Sequence, residues 1–223
     1  MHVLLVSAPG TGRAPHWSKE LAGAFASAAA ARGAIVRWLA ALHPGEEAPP
    51  GGVGVQVLPF RDRRIYKLSQ VAGSQTDDAV ELALTESLRA EPASVVLHVG
   101  LGGQGTPNVL WLADRLGSRT FACARGAELV CHRGDLSDRD KKPCSVWTDA
   151  ERCRWCCSTS WWSKPRANDL RNRQDLFVAG LHTCAAVAVP TCEDVPLLTG
   201  LGVAEDRVHV GAAATDLVER VLG

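Results

Sequence analysis

The chain has 223 residues, enough for one large domain or two small ones with a hydrophobic core. Its 24 Lys plus Arg balance 24 Asp plus Glu, so the formal net charge is zero, which excludes the basic surface typical of nucleic-acid-binding proteins. The opening residues MHVLLVSAPG lack the basic leader and cleavage site of a signal peptide, and no apolar run is long enough for a transmembrane segment. A soluble cytoplasmic protein is expected, in which cysteines are more often reduced, metal-ligating or inert than disulfide-bonded.

Short apolar runs predict β-strands, most of them apolar almost throughout, as in strands covered on both faces of a parallel sheet. The strands are predicted at His2–Ser7, Ala34–Leu39, Val53–Leu58, Ser94–Val99, Arg119–Ala124, Ala185–Val189 and Val208–Val210. Helices are predicted between them at about His16–Ala31, Gln75–Ala90, Asn108–Leu116, Ala167–Leu181 and Glu193–Leu201. Gly33 is well placed to end the first helix. This alternation predicts right-handed βαβ units in a single α/β domain over residues 1–223, with a Rossmann-like, doubly wound parallel sheet.

Two glycine-bearing loops follow predicted strands. The first contains Gly10, Gly12 and Arg13 and enters a helix, whose free N–H groups and positive dipole end favour a bound phosphate. The second contains Gly102 and Gly103 at the carboxyl end of a strand, where open α/β sheets bind ligands. The first loop is not a complete G-x-G-x-x-G motif, and tight turns that require glycine are the alternative for both loops.

Polar side chains near the ends of the predicted strands are candidate substrate contacts. His98 lies within a buried strand, so it either contacts substrate or is a hydrogen-bonded core histidine. Arg125 and Glu128 follow the next strand, where they either position a polar acceptor or form a local ion pair. Arg171 and Arg173 lie early in a helix, where the dipole disfavours positive charge. That conflict indicates an anion or partner contact, with a solvated helix face as the alternative.

Five of the chain's eight cysteines lie between Cys131 and Cys157, in a polar insertion over about 131–165 without a helical or strand period. The spacing of a Cys153-x-x-Cys156 knuckle points two thiolates at one ion. The predicted metal ligands are Cys131, Cys144, Cys153 and Cys156. Zinc is favoured over an iron–sulfur cluster because nothing else indicates redox chemistry. Cys157 or His132 is an alternative ligand, and disulfides or free thiols in a mobile loop are the alternative to a metal.

Four tryptophans crowd around these cysteines, at Trp147, Trp155, Trp161 and Trp162. Their large rings are expected to pack over the metal loop. Alternatively, Trp161 and Trp162 form an apolar patch for a partner chain or the face of a sugar.

Several strings, in order along the chain, resemble the N-terminal, acceptor-side domain of the family-4 glycosyltransferases of GT-B fold. The opening strand, glycine loop and first helix are similar, as are SVVLHVGLGG, FACARGAELVCHRG and the segment from RNRQDLF to GAAATD. The spaced cysteines resemble a Cys-rich insertion found in many members. The resemblance implies a sugar transfer of hexosyltransferase type from a nucleotide-sugar donor, with the first glycine loop facing the donor's phosphates across an interdomain cleft.

The sequence departs from this family at three points. Arg125-Gly126 stands where the family has a His-Asp pair, and Thr191 stands where it has a serine after proline, so no catalytic residue is assigned. The family's second, donor-binding domain would follow the last predicted strand, and the chain ends at Gly223 instead. We therefore expect the acceptor-binding half of a glycosyltransferase that acts with a donor-binding partner chain. The alternative is a non-catalytic, metal-bearing binding or scaffold protein derived from such a domain.

Overall fold

The computed structural model describes residues 1–7, 17–42, 54–59, 78–101, 107–131, 136–138, 140–157, 167–211 and 213–223. The strands of this part of the chain form one seven-stranded sheet. Their bounds are β1 His2–Ser7, β2 Ile35–Leu42, β3 Gly54–Pro59, β4 Val95–Val99, β5 Arg119–Cys123, β6 Ala186–Val189 and β7 Val208–Val210. Each lies where an apolar run predicted a strand, with bounds shifted by three residues at most.

All neighbouring strands of the sheet are parallel, in the order β3-β2-β1-β4-β5-β6-β7. β1 is central, with Val3 opposite Val36 of β2 on one side and Val95 of β4 on the other. The order reverses direction at β1, which makes the boundary between β1 and β4 the switch point of a doubly wound sheet. The predicted α/β Rossmann-like class is confirmed.

Helices cover both faces of this sheet. They are α1 Trp17–Ala31, α2 Asp78–Ala90, α3 Asn108–Arg115, α4 Gly126–Val130, α5 Ala150–Cys156, α6 Ala167–Thr183, α7 Val195–Gly200 and α8 Ala214–Leu222. Side chains of β1 alternate between two hydrophobic clusters, so that Val3 and Leu5 pack with α1 and α8 while Leu4 and Val6 pack with α2, α3, α6 and α7. Because the central strands β1 and β4 are covered on both sides, their sequences are apolar almost throughout.

Three helices were not predicted, and one predicted helix is divided. α4, α5 and α8 are short, and α5 lies inside the insertion that showed no helical period. Its start is fixed by Asp149, whose side chain accepts the backbone N–H groups of Glu151 and Arg152. The helix expected at Glu193–Leu201 is a 3₁₀ turn at Cys192–Asp194 followed by α7.

The end of α1 follows the prediction. Gly33 has a φ of +78°, the left-handed conformation that ends many helices, and the N–H of Ala34 bonds back to Ala29. Within the described residues, no helix combines the length and the apolar composition needed to cross a membrane.

Candidate functional site

Three central strands bring three of the candidate residues, His98, Arg125 and Glu128, to one edge of the sheet. β1, β4 and β5 are adjacent and parallel, so their carboxyl ends at Ser7, Val99 and Cys123 lie side by side. Ligands of open α/β sheets bind outside this edge. The predicted contacts Gly10, Gly12, Arg13, Gly102 and Gly103 lie outside the described residues.

His98 lies near the end of β4, between Val6 of β1 and Ala122 of β5. Its side chain is only 1% exposed, and neither ring nitrogen has a hydrogen-bond partner in the part of the chain that the structure describes. Burial lowers the pKa of His98 to about 3, because the charged imidazolium is poorly solvated there. His98 is therefore a neutral imidazole at physiological pH, next to the carboxyl end of β4.

Trp17, Arg125 and Glu128 form a cluster at the same edge, which we call the Trp17 cluster. The Trp17 indole Nε1 donates a 2.8 Å hydrogen bond to Glu128 Oε1. The Arg125 guanidinium carbon lies 5.0 Å from the centroid of the Trp17 ring, a cation–π distance. Trp17 is the first residue of α1, so the cluster joins the start of α1 to the segment after β5. It places a carboxylate and a guanidinium side by side at the carboxyl-end edge of the sheet.

Asp194 fixes the backbone beneath this cluster, and the sequence analysis did not single it out. Its Oδ1 accepts the backbone N–H of Gly126 at 2.7 Å, and its Oδ2 accepts the Thr191 hydroxyl at 2.9 Å. A Cβ on Gly126 would lie 2.8 Å from the Leu197 Cβ, so the turn after β5 is packed directly against α7. The Thr191-x-x-Asp194 spacing at a helix start was the available signal.

The two candidate arginines of α6 have different environments. Arg171 is exposed, whereas Arg173 is only 3% exposed. The Arg173 guanidinium donates to the carbonyl oxygens of Leu129 at 3.3 Å and Glu128 at 3.4 Å, and lies 4.6 Å from the centroid of the Phe177 ring. Arg173 thus contacts the carboxyl-terminal end of α4 on the side of that helix that is buried.

The cysteines of the insertion line one cavity of about 420 Å³ together with Trp147 and Trp155. The cysteines concerned are Cys131, Cys144, Cys153, Cys156 and Cys157. All eight cysteines of the chain are free thiols in this structure, so no disulfide orders the insertion. The described part of the insertion is ordered by α5, by a bridge between Ser137 and Pro143, and by the Cys144 N–H, which donates to the Leu136 carbonyl.

Cys153 lies at the centre of this group. Burial first, and then the charges of the neighbouring Cys131, Cys144 and Cys156 thiols, together raise the pKa of the Cys153 thiol to about 11. These three are the other predicted metal ligands. The Cys153 thiol donates to the Trp147 carbonyl at 3.6 Å, and the Cys156 thiol donates to the Ser137 carbonyl at 3.8 Å.

The thiols line one cavity, but they are not arranged as a metal-binding site. Among the described residues, no three His, Cys, Asp or Glu side chains are placed so that they could hold a metal ion as they stand. A tetrahedral zinc site with Zn–S bonds of about 2.3 Å needs sulfur atoms about 3.8 Å apart. The predicted ligand set has the donor chemistry for zinc, and its thiols would have to move closer together to bind it.

No protein-family model and no curated protein matches this sequence. Two solved structures are similar in fold. One is a variant of Os79 from O. sativa in complex with UDP, at 16% identity and a TM-score of 0.52, covering 95% of this chain and 52% of that one. The other is a ugt transferase from Siraitia grosvenorii in complex with UDP, at 14% identity and a TM-score of 0.50, covering 94% of this chain and 50% of that one.

The fold is similar to one half of a GT-B glycosyltransferase. The chain spans about half the length of each of these two proteins. At such low identity the similarity concerns the fold, and it assigns no residue of this chain to a function.

Proposed function

We propose that this chain is the acceptor-recognising half of a glycosyltransferase, active together with a partner chain that binds the nucleotide-sugar donor. The observation that carries the proposal is that 95% of the chain matches half of a UDP-bound protein, while polar side chains meet at the ligand-binding edge of its sheet. The strings that resemble family-4 enzymes support the N-terminal, acceptor-side half. A UDP-sugar is the donor class to test first.

In this proposal the Trp17 cluster positions the acceptor. Glu128, held by the Trp17 indole, helps to place the acceptor, and Arg125, stacked on the same ring, donates to a polar group of the acceptor or to a donor phosphate. His98 lies close to this proposed site as a buried, neutral imidazole. Gly10, Gly12, Arg13, Gly102 and Gly103 are proposed to contact the ligands, and the exposed Arg171 is proposed to contact the partner.

Native mass spectrometry of the protein isolated from its own cells tests the requirement for a partner. The expected result is a heteromer, and that complex should transfer labelled sugar from a UDP-sugar while this chain alone should not. Glu128→Gln and Arg125→Gln should each lower the kcat/KM of the complex at least tenfold. The matched control Glu151→Gln changes an exposed carboxylate of α5, and it should leave the kcat/KM of the complex within twofold of the wild-type value.

Two outcomes would contradict the proposal. A chain that is isolated alone and neither binds nor transfers any nucleotide-sugar would favour a non-catalytic scaffold. The scaffold alternative is supported by Arg125-Gly126 in place of the family's His-Asp pair, because these residues supply neither its imidazole nor its carboxylate. If the activity of the heteromer is unchanged by both substitutions, the acceptor does not bind at the Trp17 cluster.

We also propose that Cys131, Cys144, Cys153 and Cys156 hold a structural zinc ion. Four thiolates close the coordination sphere, so the ion would order the insertion and leave no position for substrate. Elemental analysis should find one zinc per chain, and Cys153→Ser should lose it. The control Cys192→Ser, at an exposed cysteine outside the cavity, should keep it. Iron with a visible absorption band would indicate an iron–sulfur cluster instead.

A further inference from the structure

Helix α4 and the residue before it supply the two charged side chains of the Trp17 cluster. Glu128 lies within this helix, Arg125 directly precedes it, and the helix is only five residues long. A helix of this length is not stable on its own, because too few backbone hydrogen bonds offset the lost chain entropy. The placement of both charged side chains therefore depends on contacts that distant elements make with the two ends of α4.

Asp194 caps α4 at its amino end. Arg125, the residue in the capping position, makes no capping hydrogen bond with its side chain, and its guanidinium instead stacks on Trp17. Asp194, 68 residues beyond Gly126, accepts the backbone N–H of that glycine at 2.7 Å. Its other carboxylate oxygen accepts the Thr191 hydroxyl, so the carboxylate is itself held in place. The amino end of α4 is thus capped from outside, while the Arg125 side chain lies against Trp17.

Arg173 and Gln174 of α6 hold the carboxyl end of α4. The Arg173 guanidinium donates to the carbonyl oxygens of Leu129 at 3.3 Å and Glu128 at 3.4 Å. The Gln174 side-chain amide donates to the Val130 carbonyl at 2.8 Å. The last carbonyl groups of a helix have no partner within it, so these three bonds satisfy groups that the short helix leaves open. A guanidinium at this end and a carboxylate at the other also complement the helix dipole.

We infer that Asp194 and Arg173 are positioning residues of the candidate acceptor site, which act through the backbone of α4 instead of binding substrate. Their exposed fractions are only 8% and 3%, which argues against direct contact with a ligand. Asp194 fixes the turn from which Arg125 extends. Arg173 binds the backbone carbonyl of Glu128, whose carboxylate receives the Trp17 indole. For its effect on sugar transfer, the inference rests on the proposed function.

Exchange of the Trp17 indole N–H with deuterated solvent tests the inference in the full chain without any substrate. NMR observes this proton, and Trp17→Phe identifies its signal. If α4 is displaced, the bond from Trp17 to Glu128 opens more often. Asp194→Ala and Arg173→Gln should therefore each speed the exchange about tenfold, although the indole bond involves neither side chain. Asp194→Asn keeps an acceptor and Arg173→Lys keeps a cationic donor, so both should recover part of the slow exchange.

Two matched variants separate positioning from general destabilisation. Arg207→Gln removes a guanidinium from the carbonyl oxygens of His182 and Cys184, which precede β6 at the opposite edge of the sheet. Asp149→Ala removes the carboxylate that caps α5. Both should leave the indole exchange within about twofold of the wild-type rate. If they speed it as much as the variants at the ends of α4, or if those variants leave it unchanged, the contacts of α4 only stabilise the fold and the inference is overturned.

Sugar transfer by the heteromer gives the second readout. With a labelled UDP-sugar as donor, Asp194→Ala and Arg173→Gln should each lower kcat/KM at least about fivefold, and the conservative variants should recover part of that loss. Arg207→Gln should leave kcat/KM within about twofold of the wild-type value. Unchanged transfer in the first two variants would overturn the inference while the proposed function stands. If the wild-type complex transfers no sugar, the proposed function fails, and the indole exchange alone decides the inference.

Discussion

Trp17 and Glu128 are 111 residues apart in the chain, and the indole Nε1 of the first donates to the carboxylate of the second at 2.8 Å. The bond joins the first residue of α1 to the middle of α4. Arg125 stacks on the same indole ring, so one aromatic side chain orients both charged residues of the candidate site. The geometry of that site therefore depends on where α1 begins.

Replacing Trp17 by Phe keeps an aromatic ring for Arg125 and removes the donor to Glu128. We expect a loss of about 1.5 kcal/mol in the free energy of unfolding, since hydrogen bonds to charged groups contribute about 1.5–3 kcal/mol and this one is partly buried. Urea denaturation measures it. Trp155→Phe, at a ring that is 58% exposed, should change stability by less than about 0.5 kcal/mol. Equal effects in the two variants would show that the indole bond contributes little.

Gly126 should not tolerate a side chain, because a Cβ there would lie 2.8 Å from the Leu197 Cβ and 3.0 Å from the Asp194 carbonyl oxygen. Gly126→Ala should destabilise the fold by about 1–3 kcal/mol, the usual cost of overpacking. Gly23→Ala is the matched control. Its Cβ would meet the Trp38 ring at 3.9 Å, so the higher helix propensity of alanine should stabilise α1 by about 0.5–1 kcal/mol. Thermal unfolding that ranks the two variants in the opposite order would contradict this packing.

Asp194 should be replaceable by asparagine but not by alanine. Asp194→Ala leaves the buried Gly126 N–H without its acceptor and should cost about 1–3 kcal/mol in unfolding free energy. Asp194→Asn can keep the acceptor towards Gly126, so we expect a smaller loss. Hydrogen exchange at the Gly126 amide gives a local readout. It should accelerate in the alanine variant, and unchanged exchange would mean that the bond does not protect the turn.

His98 should make the protein less stable in mild acid. Its pKa is about 3 in the folded chain against 6.5 for an ordinary histidine, so below pH 6.5 the unfolded chain binds a proton that the folded chain does not. Between pH 8 and pH 5 this uptake should lower the free energy of unfolding by about 2 kcal/mol. His98→Leu removes the titrating group. The free energy of unfolding of this variant should therefore fall by about 2 kcal/mol less than that of the wild type over the same pH interval. If the free energy of unfolding of the two proteins changes in parallel with pH, the pKa of His98 is not lowered in the folded chain.

The sheet could be predicted from the sequence because its central strands are buried on both faces. Continuous apolar runs such as His2–Ser7 and Val95–Val99 need no long-range information, and their order along the chain predicts a parallel sheet. The same order places His98 and Glu128 at one edge. α5 was missed because its burial is slight and its sequence has no apolar period, although Asp149 before Ala150-Glu151 is a capping signal.

The contacts within the candidate site could not be predicted in this way. Trp17 meets Glu128, and Gly126 meets Asp194, across long stretches of chain, and no local pattern pairs such positions. Arg173 looked like a solvated or anion-binding charge because its position in α6 is polar in sequence. It is buried because carbonyl groups of α4 and the ring of Phe177 receive it, which only the packed structure reveals.

The central position of β1 sets an order on folding during synthesis. One edge of β1 pairs with β2, which follows soon after, whereas the other edge waits for Val95–Val99 to leave the ribosome. Until then a strand of unbroken apolar character presents an open row of backbone donors and acceptors, a template for pairing with other chains. Chains stalled before residue 95 should therefore need protection by chaperones, and chains released after β4 should need much less.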